Sequence, residues 1–244
     1  CKNGVRFTNA SVTAPVCSTA RSALITGMFQ TSIGAHHHRS GRGELKIQKP
    51  DHVKLIPELF KEAGYYTCLG TIGHVAGTIN PKHKGRMGKS DYNFEWDQSA
   101  FDAPEWSDRK KGQPFFAKIC LSGGKARSAA RASKDIPHIE ASKVALPPYY
   151  PRHPEVLEDW AAYLDTFSLV DKQVGQIVDR LKKEGVFENT VIFFITDHGV
   201  SHARGKQFCY DEGMMIPFFV HAPGRVKGGT VRKDPVLHID LAAT

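Results

Sequence analysis

At 244 residues the chain is long enough for one large α/β domain, or two small ones, with a sizeable core, and its 41% hydrophobic and 24% charged residues exclude a disordered chain. Lysine and arginine (33) outnumber aspartate and glutamate (25), which leaves a formal charge of +8 suited to an acidic partner. The basic residues fall in short groups such as 82–86 and 109–111 without interleaved aromatics, which argues against nucleic acid, and no apolar run approaches the roughly 20 residues of a membrane span.

The first element, VCSTARSALITG (16–27), reads as a helix whose start carries a thiol where an oxygen cap is preferred. Ser18 or Thr19 can supply that cap, leaving Cys17 just outside the first turn and facing the positive end of the helix dipole. The place suits an anion or a nucleophile; it equally suits a small buried hydrophobe. His36, His37 and His38 follow, before Arg39, as a surface loop or a rim facing substrate. Adjacent side chains diverge, so a separate metal site there is disfavoured.

LIPELFKEAGYYTCLGTIGH places Ile56, Leu59, Phe60 and Ala63 on one helical face, stops at Gly64 and enters a β-prone run. QPFFAKICLS reads as a buried strand, and 123–150, rich in Ala, Ser, Lys and Pro, as a long surface loop. Pro154 opens the clearest helix, with apolar residues at Leu157, Trp160, Leu164, Phe167, Val170, Val174, Ile177, Val178 and Leu181 and a stop at Gly185. NTVIFFITDHG is a strand ending in Asp197, His198 and Gly199, and MMIPFFVHAPG is another. Five cysteines, odd in number and without a C-x-x-C pair, signal neither a disulfide framework nor a zinc site. The chain opens abruptly at CKNGVRFTN and ends at HIDLAAT, which reads as a helix just starting, so it is expected to be a fragment.

Helices alternating with apolar strands predict a doubly wound α/β fold with a largely parallel sheet, helices on both faces, and ligands beyond the carboxyl ends of the strands. Cys17 and Asp197 both fall at strand ends and are expected to share one crevice. Asp197 and His198 there read as neighbouring ligands of a divalent cation, or as a turn cap. Arg204 and Lys206 in the next loop read as a solvated ion pair or as an anion clamp for sulfate or phosphate.

Taken together and in order, these segments resemble the sulfatase family of the alkaline-phosphatase-like α/β superfamily, over nearly the whole chain. NGVRFTNASVTAPVCSTARSALITGM is similar to the sulfatase signature, GKSDYNF to the second Gly-Lys motif, ITDHG to the late metal motif, GKQFCYDEG to the Gly-Lys-x-x-x-Tyr-Glu-Gly motif, and HIDLAAT to the family's HIDLAPT. The resemblance implies that Cys17 is oxidised by a formylglycine-generating enzyme to Cα-formylglycine. Its hydrate binds Ca²⁺ through one hydroxyl and attacks sulfur, and the second hydroxyl then expels sulfate. Arg21 matches the arginine that orients the formylglycine, Lys89 and Lys206 the two sulfate-holding lysines, and Asp197 with His198 the late metal pair. The short interval from Asp197 to Lys206 is similar to that of sulfamidase-type glycan sulfatases, which implies a sulfated carbohydrate carrying sulfate esters or N-sulfates.

The chain departs from the pattern in four places. Two metal carboxylates that the family carries in an earlier strand are absent, so 1–244 is expected to be a catalytic-domain piece lacking an N-terminal metal-binding strand and a C-terminal subdomain. Thr19 replaces the usual Pro or Ala of the signature. Asp91 stands where the second motif has His. Gly123-Gly124-Lys125 replaces Asp-Pro-His, which makes Lys125 a sulfate contact or a solvated loop lysine; His36 and His138 are further candidates for substrate contact. The resemblance implies a periplasmic or secreted protein. A phosphonate or phosphodiester hydrolase on the same fold, and a non-catalytic glycan-binding relative, are the alternatives.

Overall fold

The computed structural model describes residues 2–39 and 43–244. In chain order, β1 (Val5–Phe7) and β2 (Ala10–Ser11) lead into α1 (Cys17–Thr26), followed by α2 (Ile56–Glu62), β3 (Tyr66–Thr71) and the single turn α3 (Ile72–Val75). Then come β4 (Phe115–Cys120), α4 (Arg127–Ala132), the long α5 (Pro154–Lys183), β5 (Ile192–Ile195), the short α6 (Asp211–Met214), β6 (Phe218–His221), β7 (Thr230–Arg232) and β8 (Val236–Leu237). A 3₁₀ turn, His238–Ala242, closes the chain where a helix start was expected.

The fold is α/β with mostly parallel strand pairing. β3 and β4 pair in parallel over Tyr66↔Phe115 to Thr71↔Cys120, and β1 with β7 and β2 with β8 are parallel as well. The four-stranded sheet runs β5-β6-β1-β7, and in it β6 is antiparallel to both neighbours. The reason lies in the connection. A parallel return needs a crossover along the sheet face, but residues 196–217 fold into a compact loop at the end of β5, so the chain re-enters from the end it left.

Helix α1 is held between two apolar clusters. Ile25 packs with Ile33, Leu55, Leu69 and Phe101, whereas Ala20 packs with Ala10, Val12, Ile216 and Phe218. The helix begins at Cys17 itself, with Val16 extended before it and no side chain capping it. Ser18 and Thr19 therefore do not cap, contrary to the sequence reading: the Ser18 hydroxyl is engaged by His38 Nδ1 at 2.8 Å and accepts from the Arg39 amide. Gly27 ends the helix in the left-handed region (φ 67°).

Helix α5 starts at Pro154 as expected, with the His153 imidazole accepting the Glu155 amide. Its burial differs from the apolar stripe: Phe167 is 49% exposed, and Asp165 is fully buried. Asp165 accepts the Ile139 amide at 2.7 Å, and its other oxygen meets Arg131 and His138. A buried carboxylate must be paired, and this one ties the 123–150 segment to α5. That segment is accordingly not a free surface loop. It contains α4 and a 3₁₀ turn (Ala141–Lys143).

His238 joins the chain's last turn to α1. Its Nε2 donates to the Ala20 carbonyl (2.9 Å) and its Nδ1 accepts the Thr13 amide (3.3 Å), so both nitrogens are committed to the neutral tautomer. Burial, more than any other cause, holds the imidazole below its ordinary 6.5. The unfolded chain therefore takes up this proton first on acidification: its stability contribution is complete above pH 6.5 and is lost as pH falls through the folded value, at up to about 1.4 kcal/mol per pH unit. Replacing His238 by Ala leaves both partners unsatisfied and is expected to destabilise the chain by about 2–4 kcal/mol and to flatten this acid slope. Urea titrations at pH 7.5 and 5.5 check both effects.

Candidate active site

Two glycines set the lysines of the site. Gly88 lies against the end of β3, its amide donating to the Leu69 carbonyl at 2.7 Å, and a Cβ there would stand 2.3 Å from the Gly70 oxygen. Gly205 is as tightly placed, since a Cβ would meet the Val200 oxygen at 2.0 Å. Each glycine lets the chain fold flat onto a strand-end segment, and the next residue, Lys89 or Lys206, is presented at the crevice. Arg204 (φ 64°) and Gln207 (φ 77°) bracket Lys206 in the left-handed region, as Asp91 (φ 58°) follows Lys89. Such a conformation costs a non-glycine residue about 1–2 kcal/mol and persists where the surroundings enforce it. One enforcing contact is the Gln207 amide, which donates to Pro15 in the segment leading to Cys17.

Cys17, 2% exposed, meets the end of β5. Its Sγ is 3.4 Å from His198 Nε2. His198 Nδ1 lies 2.8 Å from the Gly199 carbonyl, which can only accept, so Nδ1 carries a proton and Nε2 faces Cys17, accepting from the thiol when the ring is neutral and donating to the thiolate when it is charged. Burial pushes the Cys17 thiol up, but the His198 hydrogen bond, together with the positive charge of His198 and Lys89, outweighs both burial and Asp197 and brings it down to about 6. Asp197 Oδ2 accepts Arg21 Nε at 2.7 Å, while Oδ1 is 3.7 Å from His198 Nε2. Burial opposes the Asp197 charge, yet Arg21 and His198 hold the carboxyl below its ordinary range. Cys17, Asp197 and His198 each offer a donor atom within 4.8 Å of the others, a cluster able to hold a metal ion.

Arg21, one turn into α1, ties three segments together. Besides Asp197 it donates to the Lys89 carbonyl at 3.2 Å and to Cys120 Sγ at 3.7 Å at the end of β4. Lys89 pairs with the buried Asp91 at 3.2 Å, which explains the acid at the position where the resemblance has His: it fixes the lysine. Proximity to Lys206, followed by burial, lowers Lys125 below the usual lysine range. The Cys17 charge acts on Lys125 in the opposite sense, as expected for neighbours. Three ammonium groups and a guanidinium thus converge near the start of α1. Such a cluster is unfavourable by itself and is relieved by a multivalent oxyanion.

The structure brings together Cys17, Arg21, Lys89, Lys125, Asp197, His198 and Lys206. The contacts of His36 and His138 lie elsewhere. His36 is exposed and stacked on His37 at 4.4 Å, and His138 spends Nδ1 on Asp165 and Nε2 on the Ser133 carbonyl. The sequence reading missed Lys118, a β4 lysine buried against Tyr92, whose hydroxyl it reaches at 3.0 Å and whose ring lies 4.8 Å away. Burial, reinforced by Arg21, lowers it to about 7. A lysine inside the apolar run QPFFAKICLS was the available signal.

Comparison with known proteins agrees with this geometry. The family model described as Sulfatase matches residues 1–244. An ulvan-active sulfatase of Formosa agariphila is 28% identical, aligning with 100% of this chain and 46% of its own length. Human N-sulphoglucosamine sulphohydrolase is 24% identical, with 100% of this chain and 53% of its own length aligned. A solved chain described under the metabolism of multiple glycosaminoglycans by Bacteroides thetaiotaomicron superposes with a TM-score of 0.70 at 18% identity, covering 100% of this chain and 62% of that one, and so shares the fold. The chain spans about half the length of the curated relatives it matches. With a family match that runs from end to end over the motifs which build this crevice, the chain belongs to the sulfatase family.

Proposed function

We propose that the protein containing these 244 residues hydrolyses sulfate esters of a sulfated glycan at residue 17. The observation that carries this reading is the convergence of Lys89, Lys125 and Lys206 on a buried Cys17 beside Asp197 and His198. The names of the relatives, an ulvan-active sulfatase and an N-sulphoglucosamine sulphohydrolase, support the substrate class. Residue 17 is read as formylglycine made from cysteine by a formylglycine-generating enzyme, and the cation as Ca²⁺. The work is placed in the periplasm or outside the cell, where such polymers are met. No helix among the described residues is long and apolar enough to cross a membrane.

The donor set fits a cation at this position. The Nε2 lone pair of His198 and the Oδ1 of Asp197 face the same space as residue 17, and Arg21 fixes the carboxylate from behind. When bound, the cation and the aldehyde hydrate supply an attacking hydroxyl of lowered pKa. The chain's own residues do the rest. Lys89 and Lys206 hold the sulfuryl oxygens and meet the charge that builds on them. His198, its Nδ1 fixed by the Gly199 carbonyl, would keep Nε2 turned to the cation beside residue 17. Lys125, beside Lys206, adds a further cation toward the sulfate.

With one carboxylate among three donors, this chain supplies only part of the six to eight oxygens that Ca²⁺ prefers. Calorimetry on the 244-residue chain is expected to give Ca²⁺ affinity weaker than about micromolar, and a submicromolar value contradicts the assignment. The activity is tested on the full-length protein co-expressed with a maturase, by sulfate release from sulfated oligosaccharides and by cleavage of a phosphonate monoester. Sulfate release faster than phosphonate cleavage is expected; the reverse order overturns the reading.

A further inference from the structure

The loop 199–213 carries a second cation that the site above does not use. Among the described residues Arg204 makes no hydrogen bond and no ion pair, yet it is not free to move. Its guanidinium lies over the Tyr210 ring at 4.2 Å and over the Tyr149 ring at 4.9 Å, gripped from two segments of the chain. Both rings are exposed, Tyr149 by 39% and Tyr210 by 47%, and Phe208 stacks on Tyr210 and is exposed by 51%.

The grip is itself anchored. Tyr149 donates its hydroxyl to Glu212 at 2.8 Å, and Tyr150 donates to the Ala203 carbonyl at 2.7 Å. Glu212, the carboxylate close enough to feel the Arg204 charge, is thereby engaged elsewhere. Arg204 adopts φ 64°, in the left-handed turn that presents Lys206. It is two residues from Lys206, so the two Cα atoms lie within about 7 Å of each other.

We propose that Tyr149, Arg204 and Tyr210 form a subsite for an anionic substituent, carboxylate or sulfate, on the sugar ring next to the one that loses its sulfate. This rests on the sulfatase reading and adds to it that the substrate carries negative charge on two neighbouring rings. The chemistry favours that occupant. A guanidinium held over two rings, with no hydrogen bond or ion pair of its own among the described residues, keeps its N–H donors for a carboxylate or sulfate edge, and the exposed tyrosine edges border the place that edge would take. An ammonium stacks poorly and has no fork, so lysine does not substitute for Arg204.

The test uses the full-length protein and two substrates of the same size: a disaccharide with the reacting sulfate only, and the same disaccharide with a second anion on the neighbouring ring, in uronate and sulfate versions. For Arg204→Ala the ratio of kcat/KM between doubly and singly charged substrate is expected to fall at least tenfold, through KM. Arg204→Lys is expected to recover little of it, and Tyr210→Leu to lower the ratio severalfold. The version with the larger effect identifies the anion. An unchanged ratio, a parallel loss on both substrates, or full recovery with lysine overturns the subsite. If the wild-type protein releases no sulfate, the parent reading fails separately, and calorimetry with the doubly charged disaccharide still decides: binding lost in Arg204→Ala supports the subsite, and unchanged binding overturns it.

Discussion

Replacing Lys206 by Ala in the full-length protein is expected to lower turnover about a hundredfold while KM changes only a few-fold. Gly205 and the two left-handed residues around it hold this lysine at the crevice, beside Lys125. A group so placed meets the sulfuryl oxygens, and its contact strengthens as their charge grows, so its loss falls on the transition state. A transition-state contact of about 3 kcal/mol corresponds to roughly that factor in rate. Lys206→Arg keeps the charge in another shape and is expected to recover part of the loss. Steady-state kinetics on one sulfated substrate decides: unchanged turnover with a raised KM makes Lys206 a residue of the substrate rim.

The second large effect is that of Arg21→Ala, expected to destabilise the chain by about 2–3 kcal/mol and to reduce turnover by more than a hundredfold. The side chains of Arg21 and Asp197 are 15% and 22% exposed, so the loss leaves a partly buried carboxylate without its partner. The Lys89 carbonyl and Cys120 lose a donor at the same time. Arg21→Lys retains one charge but cannot span these partners, and its turnover is expected to stay near that of Arg21→Ala although stability recovers. The sign with pH follows from Asp197. Its carboxyl is held below its ordinary value of 3.8, so the pair contributes in full above that pH and is lost as pH falls through the folded value. Denaturant titrations at neutral pH and near pH 3 check this, and an Arg21→Ala protein as stable as the parent contradicts it.

What could be read from the sequence was whatever local geometry dictates. Cys17 and Arg21 are four apart on one helix and share a face, and Asp197 and His198 close an apolar strand, so their meeting follows from α/β architecture alone. The glycines before Lys89 and Lys206 entered only through the resemblance, and the close backbone approach they permit is a property of the folded chain. Partners chosen by tertiary contact were not legible. Asp165 lies on a helix whose apolar spacing points elsewhere, and only the folded 123–150 segment supplies the amide, arginine and histidine that bury it. His138 looked free for substrate because its anchor is 27 residues away in the chain. The missing cap on α1 has the same origin, since Ser18 is claimed by His38 from beyond the helix. The direction of β6 could not be inferred from its own residues, because it depends on how the preceding loop spends its length.

The most direct measurement of the central claim is the mass of the peptide containing residue 17, taken from full-length protein that is releasing sulfate. Conversion of cysteine to formylglycine removes sulfur and two hydrogens and adds one oxygen. That mass is expected, in proportion to the specific activity of each preparation. An unmodified Cys17 thiol in fully active protein would contradict it.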